Sequence, residues 1–316
     1  MFLCITHSPR QLDFSRSSSH FLERRYGKSG RLNNLPEFNS LNKQDLPEWK
    51  NNLTIWKFNH LSFAKPELLN FSKKDYTVNH AIFDGDNLTI CGSTFLEICS
   101  KNFRTQFQLS SNWFAGGHTV YMDINNDLVV ACSGSDSLLI FDVREKKLKK
   151  ILRMPEKNYG FNYDIKPEDD IREHYINNDR QLCHINCAFP TVNGYLVTAF
   201  IQGAVGLFDF EGNYNELVSG FRGCHGARTR PGLEGFYFSD TCKGTLIEID
   251  QKSNIKRTFS VDSKWLHDCQ WISGDIYLFS LSDKNMIQLW DIEINKKLWE
   301  IKMDSYGKTT LLLSCI

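Results

Sequence analysis

The sequence predicts an all-β protein folded as a single β-propeller, and three observations support this. Five histidines precede strand-turn-strand patterns, at intervals of 38, 66, 41 and 42 residues. Apolar strands that end in an aspartate recur with nearly the same period, at positions 142, 209, 250 and 291. Aromatic residues are abundant, with 23 Phe, 11 Tyr and 7 Trp, as expected where several sheets pack face to face. A period of about 40 residues with strand-like content is typical of propeller blades.

Each repeat contains four short strands. In the last repeat we expect strands over residues 268–272, 275–281, 286–292 and 297–303, with turns at 273–274 and 282–285. The other four repeats divide in the same way. Together the five repeats span residues 80–303, and one domain over 1–316 accounts for the chain.

Both ends of the sequence also contain strand patterns, over residues 1–6, 53–58, 67–71 and 308–316. A ring of blades closes best when the two termini share a blade, because an unpaired sheet edge is a liability. We therefore favour six blades, the sixth mixed from both termini. Five blades with an N-terminal appendage is the alternative.

Two segments do not fit the repeat. Residues 7–52 form an N-terminal excursion with loop-like composition. Residues 154–182 are a polar insertion with interspersed aromatics, and insertions of this kind act as lids or binding loops, or decorate the surface. In the lid interpretation, Tyr159 and Tyr163 contact a substrate.

Composition excludes several classes of partner. Lys and Arg together equal Asp and Glu at 37 each, so neither nucleic acid nor a membrane surface is an expected partner. The chain has no signal-peptide pattern and no apolar run long enough for a spanning helix. We expect a cytoplasmic protein whose ten cysteines are reduced thiols, mostly in strands. Nothing in the composition predicts the oligomeric state.

The repeats resemble the WD-repeat and related propeller families, above all from Gly117 and His118 to Asp142 and from His267 to Asp291. The chain departs from WD repeats because their histidine lies several residues before the first strand, whereas here that gap is nearly closed. The segment 235–250 resembles a blade of the lactonase and strictosidine-synthase type.

The five recurrent histidines are candidate metal ligands. The first strand of each propeller blade lines the central channel, so equivalent residues at the strand starts would point at one place on the axis. An imidazole shell suits Fe(II), Cu, Ni or Zn and disfavours Mg or Ca. Five ligands exceed what a working metal needs, and the shortest unit makes His80 the weakest candidate. The candidates are His80, His118, His184, His225 and His267.

The arrangement is similar to that of carotenoid oxygenases, which hold iron with four histidines from separate blades, and of peptidyl-amidating lyases, which hold zinc with three. The first resemblance implies a non-heme iron oxygenase or oxidase that acts on a small molecule at the channel rim. The second implies a zinc-dependent lyase or hydrolase. A third hypothesis is a WD-type interaction scaffold without catalysis, in which each histidine bonds within its own blade.

Charged residues near the histidines suggest further roles, although none is predicted to be catalytic. Arg222 and Arg228 flank His225 and could hold a carboxylate or phosphate of a substrate, with surface ion pairs as the alternative. Asp268 could orient a ligand histidine through its second nitrogen, or face solvent. The four histidines outside the repeat position are interpreted as ordinary surface or loop residues: His7, His20, His60 and His174.

Overall fold

In the part of the chain that it describes, the computed structural model contains 24 strands arranged in six four-stranded antiparallel sheets. The described residues are 2–8, 52–59, 61–73, 76–84, 87–100, 102–155, 168–172, 183–305 and 309–315. The predicted six-bladed, all-β propeller is confirmed.

Five blades follow one another along the chain. Blade 1 contains β4 (Val78–Asp84), β5 (Asn87–Gly92), β6 (Leu96–Ser100) and β7 (Thr105–Leu109). Blade 2 contains β8 (Gly117–Met122), β9 (Asp127–Cys132), β10 (Ser137–Asp142) and β11 (Lys147–Arg153). Blade 3 contains β12 (Ile185–Thr191), β13 (Gly194–Ala199), β14 (Ala204–Phe208) and β15 (Tyr214–Val218). Blade 4 contains β16 (Cys224–Arg228), β17 (Gly235–Asp240), β18 (Thr245–Asp250) and β19 (Ile255–Ser260). Blade 5 contains β20 (Leu266–Ser273), β21 (Ile276–Leu281), β22 (Met286–Asp291) and β23 (Lys296–Lys302).

Blade 6 is built from both termini. Its strands, in order across the sheet, are β24 (Thr309–Cys315), β1 (Phe2–Ser8), β2 (Asn52–Lys57) and β3 (Glu67–Lys73). Cys4 in β1 pairs with Ser314 on one side and with Ile55 on the other. The expectation that the termini share a blade is therefore confirmed, and the five-bladed alternative is wrong.

The inner strand of each blade lies beside the inner strands of its two neighbours. The order around the axis is β4, β8, β12, β16, β20 and β24, after which β24 packs again on β4. Each inner strand except β24 is the first strand of its blade in the chain, so residues near its start face the same end of the channel. The site described below lies at that end.

Burial follows strand position within a blade. Second strands such as β9, β13 and β21 are buried along their whole length, because their blade neighbours cover both faces. Outer strands such as β19 alternate between exposed and half-buried residues. The largest core cluster joins blades 1 to 3 through residues such as Phe114, Phe141 and Phe208.

The recurrent aspartates have a local structural role. Three of them end the third strand of a blade and Asp209 directly follows one, and an oxygen of each accepts backbone N–H groups of the following turn: Asp142, Asp209, Asp250 and Asp291. This geometry stabilises the turn into the outer strand. The repeated aspartates therefore report blade architecture.

Several sequence expectations fall mostly on residues that the structure does not describe. These are most of the excursion 7–52, most of the insertion 154–182, including Tyr159 and Tyr163, and three of the four histidines outside the repeat. The fourth, His7, was wrongly interpreted as a surface or loop residue: it is buried in β1 and its Nε2 hydrogen-bonds Thr54 at 2.7 Å. No helix among the described residues is long and apolar enough to cross a membrane.

Candidate metal centre

Three imidazoles from different blades meet at one end of the channel. Candidate ligand atoms of His118 in β8, His225 in β16 and His267 in β20 all lie within 4.8 Å of one another. The ring centroids of His225 and His267 are 4.7 Å apart, and His118 lies 5.7 and 6.3 Å from them. Such a separation can hold one transition-metal ion between the rings.

The strand register explains why these three side chains converge. Each histidine follows the first paired residue of its inner strand, and these residues pair with the last residue of the second strand: Gly117 with Cys132, Cys224 with Asp240, and Leu266 with Leu281. The register shifts at or just after the histidine in all three blades. A β-bulge of this kind redirects a side chain, here toward the axis.

Hydroxyl groups fix the orientation of two of the rings. His225 Nδ1 is 2.8 Å from Thr241 Oγ1, and His267 Nδ1 is 3.0 Å from Ser282 Oγ. Thr241 and Ser282 each open a short 3-10 helix that follows the second strand of the blade. When Nδ1–H donates to the hydroxyl oxygen, Nε2 is left unprotonated as the ligand atom.

The third ring leaves a buried nitrogen without a partner. Among the described residues, no group hydrogen-bonds His118 Nδ1, although this atom is buried. The Asn186 backbone bonds the His118 ring, which must therefore use Nε2. An unpaired buried polar atom costs about 1–3 kcal/mol. In the tautomer with Nε2–H, Nδ1 of His118 therefore has a lone pair available to a cation.

All three rings are held in the neutral form. Burial, and then repulsion from the neighbouring histidines, lowers the pKa of His118 and of His225 well below its ordinary value. Burial lowers the pKa of His267 to about 4, against a smaller opposing effect of Asp268. A metal binds the neutral imidazole, so the cluster is in the ligating state at neutral pH.

The fourth candidate, His184, lies beside the cluster and outside its 4.8 Å limit. Its ring centroid is 5.5 Å from that of His118, and its backbone has the uncommon positive φ of 52°. It comes one residue before β12, and the position equivalent to His118 is occupied by Asn186. The Asn186 side chain ties blade 3 to blade 4 by donating to the Cys224 carbonyl at 3.0 Å. A ligand role for His184 stays a prediction.

The fifth candidate, His80, lies deeper along the channel. The register assigns the position equivalent to His118 to Asn79, whose amide donates to the Gly117 carbonyl. His80 is one residue further on, with Nδ1 at 3.1 Å from the Val120 carbonyl and Nε2 at 3.4 Å from that of Leu313. Both ring nitrogens face backbone groups of adjacent inner strands, so the structure does not bring His80 into the cluster.

A polar layer crosses the channel below the cluster, and every inner strand contributes to it. Arg228 forms a two-pronged ion pair with Asp268 and donates to the Tyr121 hydroxyl at 3.1 Å. Asp268 in turn accepts the Leu313 N–H at 3.0 Å. The layer consists of His80, Tyr121, Cys187, Arg228, Asp268 and Leu313.

This layer corrects the role expected for Asp268. Its oxygens bond the Arg228 guanidinium and the N–H groups of Cys269 and Leu313, and none of these described hydrogen bonds reaches a histidine. The reason is strand geometry, since neighbouring residues in a strand point to opposite sides. The hydroxyls of Thr241 and Ser282 orient the histidines instead. Thr241 and Ser282 could have been found from the sequence, because each is a hydroxyl residue directly after the predicted second strand of its repeat.

The arginines expected to bind a substrate differ in exposure. Arg228 is 2% exposed and uses its guanidinium inside the polar layer. Arg222 is exposed on the turn before β16, and its backbone N–H donates to Asp240 at 2.7 Å. A substrate role for Arg222 stays a prediction.

An apolar wall covers one side of the cluster. Phe200 lies edge-on to His225 at 4.9 Å and to His184 at 5.6 Å, and it packs with Ile201 and Trp265. Blade 3 thus has apolar side chains in the turn where blades 4 and 5 have Thr241 and Ser282. Gly223 leaves room for the Phe200 ring, since a Cβ there would overlap it.

The fold and this site define the class of the protein as a six-bladed β-propeller with a histidine cluster at one end of its channel. No protein-family model matches the sequence, and no curated protein matches it. Similar solved structures include virginiamycin B lyase from Staphylococcus aureus, with 12% identity, a TM-score of 0.53, and 81% of this chain and 82% of that chain covered.

A second similar structure is a protein of unknown function from Bacteroides caccae. Its identity is 11% and its TM-score 0.61, and the match covers 84% of this chain and 94% of that one. At such identities the likeness concerns the fold alone. The chemistry must be argued from the residues of this chain.

Proposed function

We propose that this chain is a metal-dependent enzyme that acts on a small molecule at the channel rim, with His118, His225 and His267 as metal ligands. The observation that carries the proposal is the convergence of three neutral imidazoles, one of which has a buried nitrogen without a described partner. One ligand nitrogen of each ring lies within 4.8 Å of the other two, and unprotonated nitrogens at such separations repel through their lone pairs. A bound cation removes that repulsion and satisfies His118 Nδ1.

The three imidazole ligands restrict which metal ions the site would bind. Neutral imidazoles suit Fe(II), Cu, Ni and Zn, whereas Mg and Ca prefer oxygen ligands. Three protein ligands leave positions open for substrate or water, which is typical of a catalytic site. His184 is close enough to His118 to join after a small movement, which would make four imidazoles.

We rank iron first, with oxygenase or oxidase activity. Iron in such a shell would supply an open position for O₂, while zinc would supply Lewis-acid chemistry for a lyase or hydrolase. Hydrolysis calls for a base beside the metal, and the carboxylate next to a ligand in sequence, Asp268, is engaged with Arg228. The apolar wall of Phe200 and Trp265 would exclude water and contact an apolar part of the substrate.

The remaining expectations belong to the same proposal. The nine cysteines with described side chains are free thiols, which is compatible with a cytoplasmic location. A small molecule is the proposed partner, and neither nucleic acid nor a membrane is.

Metal analysis of protein purified without an affinity tag tests the proposal. Iron, copper and zinc are measured by mass spectrometry before and after anaerobic reconstitution, and O₂ consumption is then followed with the iron-loaded protein. We expect about one equivalent of metal per chain, lost in the double variant His225→Ala, His267→Ala and retained in His80→Gln. Zinc in place of iron would favour the lyase or hydrolase. No metal after reconstitution would contradict the proposal and favour the interaction scaffold.

A further inference from the structure

A buried ion pair lies directly below the histidine cluster. Arg228 and Asp268 are 2% and 0% exposed. The guanidinium and the carboxylate form a bidentate ion pair with hydrogen bonds of 2.6 and 2.9 Å. Arg228 comes three residues after His225 in β16. Asp268 directly follows His267 in β20. The ion pair therefore joins the two strands that carry the closest pair of candidate ligands.

The same two side chains also hold the backbone beside the ligands. Arg228 Nη1 donates to the carbonyls of Gly226, at 3.2 Å, and Cys269, at 2.8 Å. Asp268 Oδ1 accepts the Cys269 N–H at 2.9 Å. Gly226 directly follows His225, and Cys269 lies two residues after His267. The pair thus ties both strands together within two residues of each ligand.

The strand that carries the third candidate ligand and the inner strand of blade 6 are also connected to this pair. Arg228 Nε donates to the hydroxyl of Tyr121, which lies three residues after His118 in β8. Asp268 Oδ2 accepts the Leu313 N–H of β24. One ion pair consequently contacts all three strands that carry the cluster.

The sheet register is interrupted beside both His225 and His267. In β16 the register breaks between His225 and Arg228, so Gly226 and Ala227 have no register partner in β17. In β20 it breaks between Leu266 and Asp268, at His267 itself. A bulged segment is less constrained by its own ladder. Among the described contacts, those of Arg228 and Asp268 link the two bulged segments to each other, while Cys187 Sγ reaches only the Ala227 carbonyl in β16.

We propose that the Arg228–Asp268 ion pair is the positioning element that sets the separation of His225 and His267 for metal binding. This inference rests on the proposed function, because it concerns the geometry of the same metal site. Global stability is a weak reason for such a pair, since replacing a buried ion pair with apolar residues of similar volume is often neutral or stabilising. Removal of the pair should therefore affect metal geometry more than folding.

The test uses Co²⁺ as the probe, because its visible absorption reports the coordination geometry. The double variant Arg228→Met, Asp268→Leu removes both charges at once and leaves neither buried alone. Arg230→Met is the matched control: Arg230 lies two residues further along, is 10% exposed and also pairs with a buried carboxylate, that of Glu248. Arg228→Lys keeps the positive charge but cannot form the bidentate hydrogen bonds to Asp268.

We expect the double variant to fold, as judged by circular dichroism and its urea midpoint, but to bind Co²⁺ about 10–100-fold more weakly and with an altered absorption spectrum. Arg228→Lys should lie between the double variant and the wild type, and Arg230→Met should match the wild type. If the double variant fails to fold, Arg228→Lys alone decides by the same two measurements.

Wild-type affinity and spectrum in a folded double variant, or in a folded Arg228→Lys, would overturn the positioning role and leave the metal proposal intact. Equal weakening in Arg230→Met would also overturn it, since the effect would then be general. A wild-type protein that binds no Co²⁺ would overturn both proposals.

Discussion

His225 and His267 lie on neighbouring inner strands with ring centroids 4.7 Å apart, and each donates or accepts one hydrogen bond through Nδ1 with a hydroxyl in its own blade. Two adjacent blades therefore use the same device to present Nε2 to the channel. The device is local, since it needs one hydroxyl residue at the end of the second strand.

The hydroxyl device can be tested by removing it. The double variant Thr241→Val, Ser282→Ala keeps similar shapes but no longer fixes the ring tautomers. We expect affinity for Co²⁺ or Zn²⁺ to fall about 10–100-fold, measured by competition with a chelating dye. Thr245→Val is the control, because this hydroxyl bonds Lys243 and Ser260 in the same blade and does not contact a histidine. Unchanged affinity in the double variant would contradict the role given to the hydroxyls.

The buried histidines predict a pH dependence of stability in metal-free protein. Burial lowers the pKa of His80 in the folded state to about 4, whereas the unfolded chain has the ordinary value of 6.5. As pH falls from 6.5 toward 4, the unfolded state takes up the proton first, so the free energy of unfolding falls. For this residue the loss is about 3 kcal/mol at pH 4, and none is expected above pH 6.5.

Urea denaturation between pH 4 and 8 measures this dependence. Because other groups also titrate in this range, the informative quantity is the difference between the wild type and His80→Gln. We expect the variant to lose less stability than the wild type on acidification. Parallel curves would show that His80 is not held neutral by the fold.

Gly226 provides a backbone test of the polar layer. Its φ is 63°, and a Cβ there would lie 2.6 Å from Arg228 Nη1 and also overlap the Asp268 carboxylate. Gly226→Ala should cost about 1–2 kcal/mol of left-handed strain and, in addition, about 3 kcal/mol from the disturbed ion pair. Gly232→Ala is the control, because its φ is 76° and nothing lies within 4 Å of the added Cβ. If urea denaturation shows that Gly226→Ala and Gly232→Ala lose equal amounts of unfolding free energy, the prediction is contradicted.

Because β24 joins blade 6 from the other end of the chain, we expect that a separate peptide can replace this strand. Deletion of residues 309–316 exposes the edge of β1 and removes the Leu313 N–H from Asp268. We expect a destabilised, aggregation-prone protein. A synthetic peptide of residues 309–316 should bind it and raise the melting temperature. A scrambled peptide of the same composition is the control, and equal effects of both would argue against strand replacement.

The blades were predictable because their signal is local and repeated. Turn residues and apolar strands recur with a fixed period, and an aspartate such as Asp250 marks the same turn each time. The shared blade of the two termini was predictable from a different property, because an unpaired sheet edge is unfavourable and pairing of the terminal strands removes it.

The candidate site was predictable only in part, because sequence spacing does not determine strand register. The repeated histidine spacing in the sequence made His80 and His184 look equivalent to His118. In the strand register, His80 lies one residue later than the equivalent position and His184 two residues earlier. The polar layer could not be predicted, because Arg228 and Asp268 are 40 residues apart in the chain and meet through packing around the axis.

The polar layer lies across the channel on one side of the histidine cluster, so the opposite rim is the expected way in. Because Arg228, Asp268 and their partners occupy that side, the metal, substrate and product of the proposed enzyme would all pass the opposite rim. An occupant of the rim would then slow escape of the ion beneath it. Loss of metal to a chelator should accordingly become slower as a substrate or inhibitor saturates the site, which makes metal retention a screen for the ligand of this protein.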